Sequence, residues 1–240
     1  MLPDLRVRAA DARELMDEPD ADPRMLERTY RLFAAVNRLV SRPGMLYRRH
    51  IHPRARRGPV RILDVGAGGG DLCRELAARL RRDGLDAEIT SLDPDERATS
   101  WARAHDAGAS VRYRTATTSA LVGEGERFDV VLSNHVLHHL TAVQLRALLD
   151  DSSALIGTAG TAVHADIARS RRAYLLFAAA TRPFADTVLS ESFIRADGLT
   201  SIRRSFTVAE LRALVPDGWS VRAGFPSRLE VHRGPYDARP

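Results

Sequence analysis

VRILDVGAGGGD, residues 60–71, joins a short apolar run to a glycine turn and then to the start of an amphipathic segment. Val60 to Val65 has the length and β-branched content of a buried strand. DLCRELAARLRRDG, residues 71–84, has helical apolar spacing and is stopped by Gly84. Between them, Gly66-Ala67-Gly68-Gly69-Gly70 lets the backbone turn sharply and approach a bound nucleotide with no side chain in the way. A dinucleotide site needs Gly-x-Gly-x-x-Gly, with the pyrophosphate resting on the helix N-terminus. Counted from Gly66, the sixth position is Asp71, an acid that would repel a pyrophosphate. The spacing therefore disfavours NAD and points to a ligand with no phosphate there.

Outward from this turn, apolar and amphipathic runs alternate as in a chain of βαβ units. AEITSLD (87–93), Ser110 to Thr115, FDVVLSN (128–134) and TAVHADI (161–167) are the next strands. Helices are expected from about Asp95 to His105 and over 141–155, the latter capped by Thr141. The helical, partly apolar run RSRRAYLLFAAATRPFADTVL (169–189) is too long for an ordinary connection and is read as an insertion after the fifth strand. A further helix over 205–215, with Ser205 or Thr207 near its cap, precedes WSVRAGF (219–225) and RLEVHR (228–233), which form an antiparallel hairpin at the sheet edge. Before Val60, LERTYRLFAAVNRLV (26–40) has helical periodicity, and Pro43, Pro53 and Pro59 interrupt the stretch between it and the first strand. The expected architecture is α/β: a mostly parallel seven-stranded sheet with a C-terminal antiparallel hairpin, residues 1–59 forming a helical cap or lid over a domain of residues 60–240.

Composition narrows the partners. With 240 residues, 44% of them hydrophobic, one substantial core is expected. All 36 of the Lys+Arg residues are arginine, and pairs such as Arg48-Arg49, Arg56-Arg57, Arg171-Arg172 and Arg203-Arg204 are scattered rather than gathered in a stripe. They are read as solvated surface, so no nucleic-acid partner is expected. Cys73 is the only cysteine, which rules out an internal disulfide and fits a reducing compartment. The first twenty residues lack the apolar run of a signal peptide, and the best apolar window, residues 173–185, is cut by Arg182 and Pro183. A cytoplasmic protein with no membrane partner is expected; the oligomeric state is open.

The second strand ends in Asp93, about twenty residues beyond the glycines, where a carboxylate can accept two hydrogen bonds from a ribose diol. Asp93-Pro94-Asp95 also reads as a helix N-terminus capped by Asp93. Together with the glycine turn, these residues resemble the class I methyltransferases that use S-adenosyl-L-methionine, in the small-molecule branch that includes ubiquinone and menaquinone biosynthesis enzymes. The resemblance spans about Val60 to Asp166 and implies a Rossmann-like fold. It implies that Asp64, Gly66, Ala67, Gly68 and Gly70 wrap the methionine and sugar, that Asp93 holds the ribose, and that Pro94 lies against the adenine. An Asp after the third strand is common in the family. Here Thr115-Ala116-Thr117-Thr118 stands there, which leaves adenine recognition to Ala116 and Thr117 by hydroxyl, carbonyl or stacking. Ser133-Asn134-His135-Val136-Leu137-His138-His139-Leu140 resembles the segment beneath the methionine end, with Asn134 and His135 as cofactor contacts. It lacks the Asn/Asp-Pro-Pro-Tyr of enzymes that methylate base amines or glutamine amides.

ELMDEPD (14–20), DIARSRRAYLLF (166–177) and DGLTSIRRSFTVAEL (197–211) resemble, more loosely, stand-alone bacterial methyltransferases of phenolic or polyketide metabolism. This suggests a small-molecule acceptor methylated on oxygen in secondary metabolism. Carbon or nitrogen acceptors, RNA, and a non-catalytic S-adenosylmethionine-binding module are the alternatives. Removing a hydroxyl proton calls for a base. His138, His139 and His164 are candidates because they fall at the carboxyl ends of strands, although paired histidines there also read as packing; Asp166 could orient a base or cap a helix. Tyr30, Phe33, Tyr47, Tyr174 and Phe177 could wall an apolar acceptor pocket or serve as ordinary core. Asp11, Glu14, Asp17 and Asp20 read as a solvated acidic turn, and no residue set has the spacing of a metal site, so no metal is expected.

Overall fold

The computed structural model describes residues 3–40 and 42–235. Seven strands form one sheet: β1 (Val60–Val65), β2 (Ala87–Asp93), β3 (Arg112–Thr115), β4 (Val130–Asn134), β5 (Thr161–Ile167), β6 (Ser220–Gly224) and β7 (Arg228–Arg233). Their spatial order is β3-β2-β1-β4-β5-β7-β6. β1 to β5 are mutually parallel, and β7 lies antiparallel between β5 and β6. This is the expected Rossmann-like sheet with its C-terminal hairpin. β7 takes the inner place because it can be covered: Leu229 and Val231 are fully buried, whereas β6 buries Val221 alone.

The chain leaves β1 toward β2 and β3 and returns to β4 on β1's other side. The turns after β1 and β4 therefore flank a crevice at the strands' carboxyl ends, where ligands bind in such sheets. β1 is buried at Val60, Ile62, Leu63 and Val65 without alternation, as a strand covered on both faces must be. On one face α4 (Asp71–Arg82) packs Cys73 and Leu76 against Ile62 and Leu132. On the other, α7 (Ala142–Ile156) packs Leu145 and Leu149 against Leu63 and Val131. α7 starts from a Thr141/Gln144 capping box and α10 (Val208–Leu214) from a Thr207/Glu210 box, so Thr207 rather than Ser205 is the cap. β3 begins at Arg112, not Ser110, because the Asp106 carboxylate accepts the Ser110 and Val111 N–H groups and closes a turn there.

The N-terminal part divides in two. α1 (Pro23–Val40) lies over the glycine turn as a cap. The helical stretch of α2 (Pro43–Leu46), Tyr47–Ile51 and α3 (His52–Ala55) instead sinks Leu46, Tyr47 and Ile51 into the same core as Ile62 and Leu76. After β5 come α8 (Arg171–Thr181), a single turn over Arg182–Phe184, and α9 (Ile194–Arg204). α9 and the short α6 (Thr118–Gly123) are elements that the apolar pattern did not reveal. α5 (Glu96–Ala104) completes the set. No helix among the described residues is long and apolar enough to cross a membrane.

Candidate active site

A cavity of about 440 Å³ opens at the carboxyl ends of β1, β2 and β4, beneath α1 and α9. One half is built by the glycine turn. Gly66 sits at φ +65°, and a Cβ there would come within 2.5 Å of Val136, so both conformation and space demand glycine. Gly68 sits at φ +52° with nothing within 4 Å of a hypothetical Cβ; its bare backbone faces the open cavity. The N–H groups of Gly66 and Ala67 donate to the Leu92 carbonyl, and that of Gly68 donates to Asp93 Oδ2 at 2.8 Å. Asp93 Oδ1 accepts the Asp95 N–H at 2.9 Å. Burial raises the Asp93 pKa and outweighs these two bonds. The cap of α5 is Asp95, which accepts from Arg97 N, so Asp93 is released from capping and lines the cavity with Pro94.

Asp64 lies at the cavity floor, fully buried, where the Cys73 thiol donates to it at 3.3 Å; burial lifts its pKa to about 8. Asp71 accepts from Asn37 of α1 at 3.2 Å. Asn134 and His135, at the end of β4, also line the cavity, and Arg228 ties them to the sheet through Asn134 Oδ1 at 2.7 Å and His135 Nε2 at 3.1 Å. Three expected cofactor contacts are not brought here. Gly70 turns its Cα toward Arg74, Ala102 and Tyr113 behind the turn. Ala116 packs against the core, and Thr117 is the N-cap of α6, its hydroxyl accepting from Ala120 N. The Thr117 hydroxyl is engaged in local capping, and neither Ala116 nor Thr117 is among the residues lining the cavity.

The other half carries the histidines. His138 is buried: its Nδ1 lies 3.0 Å from both Asp166 oxygens and its Nε2 3.3 Å from Glu14 Oε1. Burial lowers the His138 pKa, but Asp166 and Glu14 outweigh it and raise it to about 10. Burial likewise raises Asp166, and His138 with His135 overrides this to hold it well below the usual carboxylate range. His139, with a third of its side chain exposed, has Nδ1 3.2 Å from Asp17 and Nε2 3.9 Å from Glu14 Oε2. Glu14 also accepts from Ser201 at 2.9 Å and lies 3.6 Å from Arg204. Asp197 of α9 accepts the N–H groups of Leu15 and Met16 and so fixes the segment that presents Glu14.

Two expectations are corrected here. Glu14 is 3% exposed and so is not part of a solvated acidic turn, whereas Asp17 beside it remains exposed. His164 is a core residue: it bonds Ser133 at 2.8 Å, lies 5.6 Å from the Trp219 ring, and burial alone lowers its pKa to about 3. Asp166 is not among the residues lining the cavity and lies behind His138, whose ring and backbone N–H it contacts. Of the aromatics, Tyr30, Phe33 and Phe177 line the cavity, while Tyr47 is buried in the core with its hydroxyl donating to the exposed Asp83 at 2.6 Å, and Tyr174 is not among the lining residues.

Residues 62–160 match the family model described as a methyltransferase domain. Over these residues the chain is similar to methyltransferase domains. Over 86 residues it is 41% identical to the ubiquinone biosynthesis O-methyltransferase of Sinorhizobium medicae, covering 35% of this chain and 32% of that protein. Over 117 residues it is 36% identical to the Brucella melitensis enzyme of the same name, covering 48% and 44%. The chain thus spans less than half the length of these curated relatives. Among solved structures, the plantazolicin methyltransferase BpumL superposes with a TM-score of 0.62 at 14% identity over 91% of both chains. A putative O-methyltransferase from Nostoc punctiforme gives 0.53 at 16%, covering 85% of this chain and 59% of that one. At such identities these neighbours bear out the methyltransferase fold. The family match ends before α8 and α9, so Glu14, Asp17 and Asp197, which line the cavity, lie outside the matched residues, whereas His138 and His139 lie within them.

Proposed function

We propose that this protein transfers a methyl group from S-adenosyl-L-methionine to an oxygen of a small, largely apolar phenolic or polyketide-type acceptor. One observation carries the proposal: a single cavity joins the bare backbone of Gly68 and the Asp93 carboxylate to a wall of imidazoles and carboxylates. The chain's residues fit the cofactor. Gly66 to Gly69 leave room for its sugar and methionine, Asp93 is free to accept from a ribose diol, and Asp71 at the start of α4 can accept from an ammonium. The neighbour BpumL was solved with S-adenosylhomocysteine, which supports the same assignment here. The cofactor supplies an electrophilic methyl carried on a sulfonium.

The acceptor then lies between the glycine turn and α9, against Phe33, Phe177 and Ile202, with its hydroxyl toward His139. On transfer the acceptor oxygen would take the methyl as its carbon–sulfur bond broke, leaving S-adenosylhomocysteine, and the imidazole wall would receive the hydroxyl proton. Both nitrogens of His138 are engaged by carboxylates, so that ring holds charge and position, and His139 is the side chain that meets the acceptor. α1 and α9 cover the site and exclude water from the transfer. Incubating the protein with S-adenosylmethionine and a panel of phenols and polyketide-type hydroxyls, with mass-spectrometric detection, tests the proposal. An O-methylated product with equimolar S-adenosylhomocysteine is expected. Tight cofactor binding without turnover of any acceptor would instead make the chain a binding module, and a methylated amine or carbon would move the acceptor class.

A further inference from the structure

The Glu14–His138–His139 wall has a geometry that methyl transfer alone does not require. Both imidazoles turn Nδ1 toward a carboxylate, His138 to Asp166 at 3.0 Å and His139 to Asp17 at 3.2 Å. Both turn Nε2 toward the same third carboxylate, Glu14, at 3.3 and 3.9 Å. When Nδ1 donates its hydrogen to a carboxylate, a neutral ring presents a lone pair at Nε2. One ring nitrogen of each histidine and a Glu14 oxygen lie within 4.8 Å of one another, and an ion bound among them would take the place of the proton that His138 holds between Asp166 and Glu14. Zinc bonds of about 2.0–2.2 Å put the ligand atoms of a tetrahedral site roughly 3.3–3.5 Å apart, which the His138–Glu14 distance meets and the His139–Glu14 distance approaches.

We propose that Glu14, His138 and His139 form a binding site for one divalent transition-metal ion, with Asp166 and Asp17 as the outer carboxylates that orient the two rings. Metal-bound histidines in proteins are held in this way, the second nitrogen donating to a carboxylate. Two imidazoles and one carboxylate suit Zn²⁺, Co²⁺, Fe²⁺ or Mn²⁺ better than Mg²⁺, which prefers oxygen. Three protein ligands leave a position open, as in metal sites that act on a substrate, and here the open side is the cavity. Arg204, 3.6 Å from Glu14 Oε1, is an unfavourable neighbour for an ion. Ser201 and Arg204 hold that oxygen, while Oε2 is the one turned to His139. In its role, though not in its existence, the site rests on the methyl-transfer proposal: an acceptor hydroxyl at the open position would meet a metal held by His139 rather than the free imidazole.

The test uses metal alone, with neither cofactor nor acceptor. The full-length protein is stripped with a chelator, exchanged into chelator-free buffer and titrated with Zn²⁺ by calorimetry, and with Co²⁺ by visible absorption. One Zn²⁺ per chain is expected at micromolar affinity or tighter, with intense tetrahedral d–d bands for Co²⁺. His139→Ala and Glu14→Gln are each expected to weaken binding at least 100-fold, and Asp17→Asn, which touches only the outer shell, about 10-fold. S-adenosylhomocysteine binding and the thermal melt of each variant report whether it has folded. Absence of stoichiometric uptake by the wild type overturns the site. So does uptake that is unchanged in folded His139→Ala and Asp17→Asn, because the ion would then lie elsewhere. Product formation is measured separately, so failure of the metal site leaves methyl transfer standing, and failure of methyl transfer leaves the site standing.

Discussion

Asp93 braces the glycine turn and is proposed to hold a ribose diol as well, and the two roles can be separated. Its carboxylate accepts the Gly68 N–H at 2.8 Å and the Asp95 N–H at 2.9 Å, which ties the glycine turn to the start of α5. Each oxygen retains a lone pair toward the cavity, where a ribose diol can donate. Charge-assisted hydrogen bonds of this kind contribute about 1.5–3 kcal/mol each. Asp93→Ala is therefore expected to weaken S-adenosylhomocysteine binding by about 3 kcal/mol if both diol hydroxyls are held, more than 100-fold, with a further loss because Gly68 is unpinned. The discriminating measurement is a cycle: the affinities of wild type and Asp93→Ala for S-adenosylhomocysteine and for its 2′,3′-dideoxy analogue, by calorimetry. If Asp93 holds the diol, the variant loses far less affinity for the dideoxy ligand, with a coupling above about 1.5 kcal/mol. If Asp93 is only a strut for the turn, both ligands weaken equally and the coupling vanishes, which would refute the clamp.

Gly68→Ala keeps the fold, since nothing lies within 4 Å of the new Cβ, but strains a residue at φ +52° and fills the cofactor cradle; at least a tenfold loss of S-adenosylhomocysteine affinity is expected with a thermal midpoint only slightly lowered. His139→Ala is expected to lower turnover by about 10² or more while cofactor affinity stays within about twofold, as steady-state kinetics and calorimetry will show. Deleting residues 1–53 is expected to unfold the protein, because Leu46, Tyr47 and Ile51 go with it; deleting only 1–20 removes Glu14 and Asp17 and is expected to leave a cooperative melt with cofactor binding largely kept and turnover lost. His164 has a folded pKa of about 3 against 6.5 unfolded, so the unfolded chain binds the extra proton and stability falls as pH drops below about 6.5. At pH 4.5 this costs at most about 2.7 kcal/mol; in urea unfolding His164→Leu is expected to lose less between pH 7 and 4.5 than the wild type, and an identical loss would remove His164 from the acid response.

The features that the sequence revealed and those that it hid divide by contact range. The β1–turn–α4 unit was legible because its determinants are adjacent: an unbroken apolar run, glycines where Gly66 and Gly68 need positive φ, and helical spacing from Asp71. The Thr141 cap and the closing hairpin were legible for the same reason. α9 was hidden by Gly198, which local propensity reads as a break. Glycine is required there by a distant residue, since a Cβ would run into the Phe177 ring of α8. Thr117 shows the converse: its position after β3 suggested a ligand contact, and the three residues after it made it a cap instead. The acids at 14 and 17 were the least legible. An acidic side chain can be buried only when partners compensate it, and for Glu14 those partners are His138, Ser201 and Arg204, all more than a hundred residues away in the chain. The glycine turn therefore announces which class of cofactor fits from one contiguous segment. The wall of imidazoles and carboxylates is assembled from the N-terminal turn, the end of β4 and α9, and its geometry exists only once those three meet.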